Sequence, residues 1–259
     1  MPRILVVEGS DHKNPRDPAS ALQTLWDVLC DALELPRFDR VVAISKRCIA
    51  DLSDDKAAAA LDEELVRLRL GAPDDALLLA WDCKPEWAAV TAQPCRYRET
   101  VALYEQLDQR QRLPADLRAH VAARRQDFAG RATAQDKTSP PVRLVAGALQ
   151  ALCMDPEFED LFKDESMIRD ALGLRGETVA DWPKGWGKRF PREPKALLDA
   201  AIDAAKRHRP RPEVVRRIGL DYTRNQEAWA AHFIRRFAES RPDAFRRHRI
   251  CERLCSLLG

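Results

Sequence analysis

The sequence predicts an α/β protein with a mainly parallel sheet of about four to five strands flanked by helices, followed by a helical carboxyl-terminal region. Three apolar runs support this prediction, namely Ile4–Val7, Val41–Ile44 and Ala76–Trp81. None of them shows the alternation of a half-exposed strand, and such continuous runs are typical of strands buried on both faces of a parallel sheet. Helical patterns separate the runs, so the predicted order is βαβαβ.

The segments between the strands have the period of amphipathic helices. Ala21–Leu35 carries apolar residues at helical spacing. Ala57–Leu70 does so less regularly and is followed by Gly71, a residue common just after a helix end. A fourth strand is predicted at Val142–Gly147, where another apolar stretch follows a loop rich in polar residues and proline.

Beyond the predicted sheet the pattern is helical. Helical segments are expected near residues 194–208, 212–219 and 224–257, the last one broken at a proline. We therefore divide the chain into an α/β domain, residues 1–150, and a mostly helical region, residues 151–259.

Composition sets limits on the class of protein. A chain of 259 residues with 45% hydrophobic and 32% charged residues is typical of a globular protein. It has no apolar run of about 18 residues and no secretory signal, so we expect a cytoplasmic protein that does not enter the membrane.

The series His248, Cys251 and Cys255 could lie on one helix face, where packing is favoured over a zinc site because a fourth ligand is not evident.

Charge is unevenly distributed along the chain. The formal net charge is only +2, but residues 206–253 contain 14 Lys and Arg against 6 Asp and Glu. This segment therefore has a charge of +8, and the remainder has −6. A basic segment of this kind indicates a polyanionic partner, although amphipathic helices with solvated basic faces explain it equally well.

Two of the predicted strands end in a carboxylate. Glu8 follows Ile4–Val7, and Asp82 follows Ala76–Trp81. Ligands of open α/β sheets bind at the carboxyl ends of the strands, and neighbouring strands lie about 4.8 Å apart. If these strands are neighbours, the two carboxylates can converge, and a divalent cation relieves their repulsion. Oxygen ligands suit Mg²⁺ or Mn²⁺, which can polarise a phosphoryl oxygen or activate a water molecule.

These residues resemble a known family. The stretch Val6–Asp11 (VVEGSD), with a later apolar strand that ends in Asp82, resembles the Toprim domain of topoisomerases, DnaG-type primases and OLD-like nucleases. Toprim domains carry a glutamate after their first strand and an Asp-x-Asp after a later one. The resemblance implies a Toprim fold in which Glu8 is a metal ligand or general acid/base and Asp82 is the first aspartate.

A second likeness covers the following segments. Leu152–Asp164 resembles the E-x-W-L-L-A-D stretch of small bacterial Toprim-like proteins, and Glu193–Leu198 fits the short D-P-K-x-L-L helix of that group. Such proteins are often encoded beside an ABC-type or OLD-like ATPase. The resemblance therefore implies an ATPase partner and a role in anti-phage defence.

The chain departs from the Toprim pattern after Asp82. Lys84 stands where the second aspartate is expected, and a cation there weakens metal binding by direct repulsion. In one interpretation, Glu86, Asp11 or Glu159 supplies the missing oxygen. In the other, the site is degenerate and the protein is not a nuclease.

Several cationic and aromatic residues are candidates for binding nucleic acid or a partner protein. Lys13, just after the Glu8 turn, is either a phosphate contact or a solvated loop residue. The loop Asp181–Pro194 interleaves tryptophans with cations, which suits stacking on bases, a partner interface or a plug of the core. The last helices could form a basic ridge along a phosphate backbone, or only a solvated face. The candidates are Lys13, Lys84, Trp186, Lys188, Arg189, Arg235, Arg246 and Arg247.

Two main functional hypotheses follow from the sequence, and a third possibility is a sensor of small nucleotides built on a similar parallel sheet. The first is a Mg²⁺-dependent nuclease, a phosphodiesterase of Toprim type that acts on nucleic acid with an ATPase partner in anti-phage defence. The alternative is a degenerate Toprim-like subunit that binds or regulates a partner ATPase or a phage protein. Both are compatible with an oligomer. The sequence has no P-loop, no G-x-G-x-x-G loop and no nucleophile elbow, so ATP or NAD binding and nucleophilic catalysis are not expected.

Overall fold

The computed structural model describes residues 1–9, 18–45, 55–82, 104–105, 107–109, 113–132, 143–154 and 157–259. They form a parallel sheet flanked by helices and a helical carboxyl-terminal region, which confirms the predicted α/β fold class. The chain divides into two compact units. The sheet unit comprises Met1–Gln23, Pro36–Phe158 and Arg253–Gly259, and the helical unit comprises Thr24–Leu35 and Glu159–Glu252.

Within the described residues the sheet has four strands, all parallel. They are β1 (Arg3–Gly9), β2 (Arg40–Ser45), β3 (Ala76–Asp82) and β4 (Leu149–Met154). Their order across the sheet is β2-β1-β3-β4. Leu5 of β1 pairs with Val41 on one side and with Leu78 on the other, and Leu78 also pairs with Gln150 of β4. Because all strands run in the same direction, their carboxyl ends lie along one edge of the sheet.

The fourth strand begins later than the sequence predicts. The predicted strand is Val142–Gly147, but its described part, residues 143–147, is not a strand and ends in a turn at Gly147, whose φ of 67° lies in the left-handed region that glycine adopts readily. The buried Arg69 guanidinium fixes this turn by donating hydrogen bonds to the carbonyl oxygens of Gly147, at 2.7 Å, and of Pro73. β4 therefore begins at Leu149, and the predicted domain division after residue 150 would cut through it.

One apolar cluster of the sheet unit covers one face of the sheet, and the fully buried Leu5 and Leu78 belong to the other face. The helices among residues 1–132 include α1 (Pro18–Ala32), most of which belongs to the helical unit, α2 (Asp55–Gly71) and α3 (Ala115–Ala132). Alternate β3 residues, including Leu79 and Trp81, pack in one apolar cluster with Leu65 of α2 and Leu117 of α3. Each fully buried leucine contributes about 2 kcal/mol of hydrophobic stabilisation, which explains why these runs are apolar throughout.

Besides residues 24–32 of α1, the helical unit contains a 3-10 helix and six helices, with a seventh that extends from it into the sheet unit. They are the 3-10 helix Phe158–Phe162, which begins at the last residue of the sheet unit, α4 (Glu165–Ala171), α5 (Trp186–Arg189), α6 (Pro194–Arg207), α7 (Glu213–Ile218), α8 (Gln226–Ser240), α9 (Pro242–Arg246) and α10 (Arg249–Leu258). Aromatic rings fill the core, with 5.5 Å between the ring centroids of Phe162 and Phe233 and 5.6 Å between those of Trp229 and Phe233. The last three predicted helical segments correspond to α6, to α7, and to α8–α10.

The division into units differs from a single cut along the chain. The main boundary falls after Phe158. Residues 24–35 precede this boundary but belong to the helical unit, and residues 253–259 follow it but belong to the sheet unit. None of the helices in the described part of the chain combines the length and the apolar character that crossing a membrane requires.

Candidate functional site at the carboxyl ends of β1 and β3

The strand order creates a topological switch point between β1 and β3. The chain passes from β1 to β2 on one side of the sheet and then to β3 on the other. In open parallel sheets, ligands bind in the crevice outside the carboxyl ends of the two strands at which this reversal occurs. Glu8 and Gly9 end β1, and Asp82 ends β3. The two strands are therefore neighbours, as the predicted acidic site requires.

Asp82 connects the end of β3 to the segment after β4. Its side chain is half-buried, and its Oδ1 accepts a hydrogen bond of 2.8 Å from the backbone N–H of Phe158. Phe158 is the first residue of the 3-10 helix, so the carboxylate satisfies a donor at a helix start, as an N-cap residue does. Asp82 has a structural role that the sequence analysis does not anticipate.

The other predicted residues of the acidic site are only partly visible. The side chain of Glu8 and the whole of Lys13, Lys84 and Glu86 lie outside the described residues. In the part of the chain that the structure describes, no three His, Cys, Asp or Glu side chains are grouped so that they could hold a metal ion. The predicted pairing of Glu8 with Asp82 around a cation therefore stays a prediction.

Glu159 is a buried carboxylate whose Oε1 atom has several polar contacts inside the helical unit. It is 0% exposed, and its Oε1 accepts hydrogen bonds from the Tyr222 hydroxyl at 3.2 Å and from Gln226 Nε2 at 2.8 Å. Lys195 Nζ lies 3.4 Å from the same oxygen. A buried charge is tolerated only when it is paired and hydrogen-bonded, and these contacts meet that requirement. They favour a structural role for Glu159 over the predicted role of metal ligand.

The Glu159–Lys195 pair also joins two segments singled out in the sequence. Glu159 lies in Leu152–Asp164, and Lys195 lies in Glu193–Leu198. Spacing along the chain gave no reason to connect them. In the structure the ion pair links the 3-10 helix to the first turn of α6.

Trp186 lies in the core of the helical unit. It is 2% exposed, its indole N–H donates a hydrogen bond of 2.7 Å to the carbonyl oxygen of Lys163, and its ring stacks on that of Trp182 with 6.1 Å between centroids. A buried ring cannot stack on a nucleic-acid base. Among the interpretations of this loop, the structure supports a plug of the core, and we remove Trp186 from the candidate binding residues.

The cations near Trp186 remain at the surface. Lys188 and Arg189 are exposed on α5. Arg189 Nε lies 2.5 Å from the carboxylate of Glu193, four residues later, and this hydrogen-bonded pair raises the pKa of Arg189. Of the two predicted cations, Arg189 is therefore neutralised by an ion pair with Glu193.

Part of the predicted basic ridge is neutralised by ion pairs. Arg246 Nη2 lies 2.5 Å from the carboxylate of Glu34, and Arg241 Nη1 lies 2.9 Å from that of Asp164. Arg247 is exposed, and its Nε donates a hydrogen bond to a backbone carbonyl oxygen. Arg235 is exposed on α8. The charge of +8 in this segment therefore overstates the positive charge that a ligand would meet.

An ionic cluster around Asp160 was not anticipated from the sequence. Its Oδ2 accepts hydrogen bonds from Lys163 Nζ at 3.2 Å, His248 Nε2 at 3.1 Å and Arg249 Nη2 at 3.1 Å. Burial alone would raise the pKa of Asp160, but the hydrogen bond from His248 and the two cations outweigh it and lower the pKa to about 2. In the sequence, the i, i+3 spacing of Asp160 and Lys163 was the one feature that indicated an ion pair here.

The same cluster includes His248 and accounts for the contact of its Nε2 atom. Its Nε2 contacts Asp160, and its Nδ1 accepts from the backbone N–H of Ile250 at 3.3 Å. Both ring nitrogens have protein partners, and Cys251 is fully buried. These contacts favour packing over zinc binding for the series of His248 and the cysteines that follow it.

Comparisons of this chain with protein-family models, with curated proteins and with solved structures give no match.

Proposed function

We propose that this chain is a Mg²⁺-dependent phosphodiesterase of Toprim type that cleaves nucleic acid in the cytoplasm and acts with an ATPase partner in defence against phage. The observation that carries the proposal is the strand order β2-β1-β3-β4, because Glu8 and Asp82 end the two strands at its switch point. The residue types and their order along the chain, as described above, agree with the Toprim resemblance.

The residue types of Glu8 and Asp82 suit the proposed metal. Carboxylate oxygens are the ligands that Mg²⁺ prefers, and it binds through one or two of them while keeping several waters. The hydrogen bond from Phe158 to Asp82 does not conflict with coordination, since a carboxylate has about four lone-pair positions. Glu8 and Asp82 would hold the ion, which supplies Lewis-acid stabilisation of a phosphoryl oxygen or a water of lowered pKa.

The test uses two variants that remove charge and keep shape. Glu8→Gln and Asp82→Asn are expected to abolish Mg²⁺- or Mn²⁺-dependent cleavage of labelled DNA and RNA. The asparagine amide oxygen can still accept the hydrogen bond from Phe158, so we expect Asp82→Asn to fold normally. Asp82→Ala loses that bond as well and should unfold at a lower temperature.

The matched control lies at the opposite edge of the same sheet. Asp74 is an exposed acid just before β3, and Asp74→Asn changes the net charge by the same amount. It should cleave like the original protein. Cleavage that persists in both Glu8→Gln and Asp82→Asn would contradict the assignment, provided that thermal unfolding and circular dichroism show both variants to be folded.

A second candidate function is a binding or regulatory subunit for a partner ATPase or a phage protein. It is favoured by two observations: Lys84 replaces the second aspartate of the Toprim motif, and Asp82 already caps the 3-10 helix. Titration with Mn²⁺ in a calorimeter distinguishes the two candidates. Binding that is lost in Glu8→Gln supports the phosphodiesterase, and the lack of binding at millimolar Mn²⁺ supports the regulatory subunit.

A further inference from the structure

A cavity lies at the amino-terminal end of β1, within the sheet unit. Its volume is about 320 Å³, and it is lined by Arg3 at the start of β1, by residues 143–146 before β4 and by the end of α10. Met1 and Gly259 complete the lining, and all of these residues belong to the sheet unit. Small-molecule sites typically have volumes of about 300–1,000 Å³, so this cavity suits a small ligand.

The cavity is remote from the candidate metal site. Arg3 begins β1, whereas Glu8 and Gly9 end it. Each residue of a strand advances the chain by about 3.3 Å, so the two ends of β1 are about 20 Å apart. A ligand in the cavity would therefore occupy a separate site, and its binding does not depend on the proposed function.

The walls of the cavity are mainly apolar. The apolar side chains in the lining are those of Leu144, Val145, Ala146, Leu257 and Leu258. A hydrogen bond of 2.8 Å from the Leu144 N–H to the Leu257 carbonyl oxygen holds two of these walls together. Val145 is 51% exposed and Met1 is 54% exposed, although large apolar side chains are usually buried. An apolar ligand that covers them would gain hydrophobic stabilisation.

Two arginines supply the charged side chains of this lining. Arg3 is half-buried and Arg143 is exposed. Asp39 accepts a hydrogen bond of 2.7 Å from the backbone N–H of Arg3, but the buried Nε of the Arg3 side chain has no acceptor. Within the described parts of the chain, neither guanidinium group forms an ion pair, and no acidic side chain lines the cavity. Two positive charges beside an apolar cavity favour an anion that carries an apolar chain.

We propose that this cavity binds a small amphipathic anion, that is, an apolar chain with a carboxylate or phosphate head. The chain covers the apolar walls, and the guanidinium groups of Arg3 and Arg143 bind the oxygens of the head. Both heads are suitable because the planar donors of guanidinium match carboxylate and phosphate in a bidentate manner. The shared cavity distinguishes these two arginines from other arginines that lack an acid partner.

Calorimetric titration with three probes of equal chain length tests the proposal. The probes are octanoate, octyl phosphate and octanol, each below the concentration at which it forms micelles, and EDTA excludes binding of the anions through a metal. At least one anion should bind about tenfold more tightly than octanol, because a hydrogen bond to a charged group contributes about this factor or more. The tighter of the two anions identifies the head.

Variants of the lining separate the head from the chain. Arg3→Met and Arg143→Met remove a charge but keep a long apolar side chain. Each should weaken anion binding about tenfold and leave octanol binding unchanged. Ala146→Trp fills the cavity and should abolish the binding of all three probes. Melting temperatures without probes verify that the variants are folded.

The matched control removes an arginine that is close by but outside the cavity. Arg40 begins β2 at the same edge of the sheet and is exposed. It also has no ion pair among the described residues, but it does not line the cavity. Arg40→Met should bind all three probes like the original protein.

Five results would overturn the inference. They are binding of neither anion by the original protein, octanol binding as tight as that of the anions, equal weakening in Arg40→Met, anion binding that is unchanged in both Arg3→Met and Arg143→Met, and unchanged binding in Ala146→Trp. Vesicles of anionic phospholipid and sedimentation test the other occupants. If the free anions do not bind, vesicle binding or dimerisation that Ala146→Trp abolishes would assign the cavity to a membrane or to a second copy of the chain. An absence of metal-dependent cleavage would contradict the phosphodiesterase proposal alone.

Discussion

Replacing Asp160 with asparagine tests the ionic cluster of the helical unit. The Oδ2 atom of this aspartate accepts hydrogen bonds from Lys163, His248 and Arg249, and its side chain is only 13% exposed. Asparagine preserves the size of the side chain but leaves the cations facing a neutral amide. We expect the helical unit to be less stable at neutral pH.

The size of the effect follows from the pKa of Asp160. Burial opposes ionisation, but the hydrogen bond from His248 and the charges of Lys163 and Arg249 lower the pKa from 3.8 to about 2. Each pKa unit corresponds to about 1.4 kcal/mol, so the ionised carboxylate contributes about 2 kcal/mol to the free energy of unfolding. Because the pKa is lower in the folded state, this stabilisation is present above about pH 4 and is lost as the pH falls toward 2.

Urea unfolding followed by tryptophan fluorescence measures this difference. Asp160→Asn should be about 2 kcal/mol less stable than the original protein at pH 7, and the gap should narrow as the pH falls from about 5 to 2. Asp203→Asn is the matched control, because Asp203 is 50% exposed and contacts one lysine at 3.1 Å, a pair worth less than about 1 kcal/mol. Equal losses in the two variants, or a gap that does not change with pH, would refute the reasoning.

Two further predictions concern the same unit. Trp186→Ala should lower the free energy of unfolding by about 3–5 kcal/mol, since it removes a buried ring and leaves the Lys163 carbonyl oxygen without the indole donor. Chemical denaturation measures this loss, and a value below about 1 kcal/mol would show that Trp186 is not a core residue. Asp164→Ala should cost about 1–2 kcal/mol, because Asp164 caps α4 by accepting from the backbone N–H groups of Ser166 and Met167. Asp164→Ser keeps a capping oxygen, and thermal unfolding should show that it is more stable than the alanine variant.

The strands of the sheet could be predicted where the sequence offers a single apolar run as the candidate. β1, β2 and β3 agree with the predicted runs to within one or two residues. β1 and β3 are central strands buried on both faces, and such strands need apolar side chains at every position. β4 could not be located in the same way. Val142–Gly147 and Leu149–Met154 are both apolar, and the choice between them is made by the turn at Gly147 and the distant Arg69.

The candidate site was predictable in its position but not in its contacts. Glu8 and Asp82 follow apolar runs, so their place at the strand ends could be read from the chain. The hydrogen bond from Phe158 to Asp82 joins residues 76 positions apart, and no periodic pattern encodes it. For the same reason the pair of Arg246 with Glu34 was missed, and this pair neutralises part of the ridge that appears basic in the sequence.

The route of the chain through the two units restricts how this protein can be dissected. The final stretch, residues 253–259, returns to the sheet unit, where the Leu144 N–H donates to the Leu257 carbonyl oxygen at 2.8 Å and Arg253 contacts the Cys153 carbonyl oxygen. A fragment consisting of residues 1–158 would lack these partners, so fragment expression should give an insoluble or partly folded product. Limited proteolysis between the units should leave two pieces that remain associated until they are denatured.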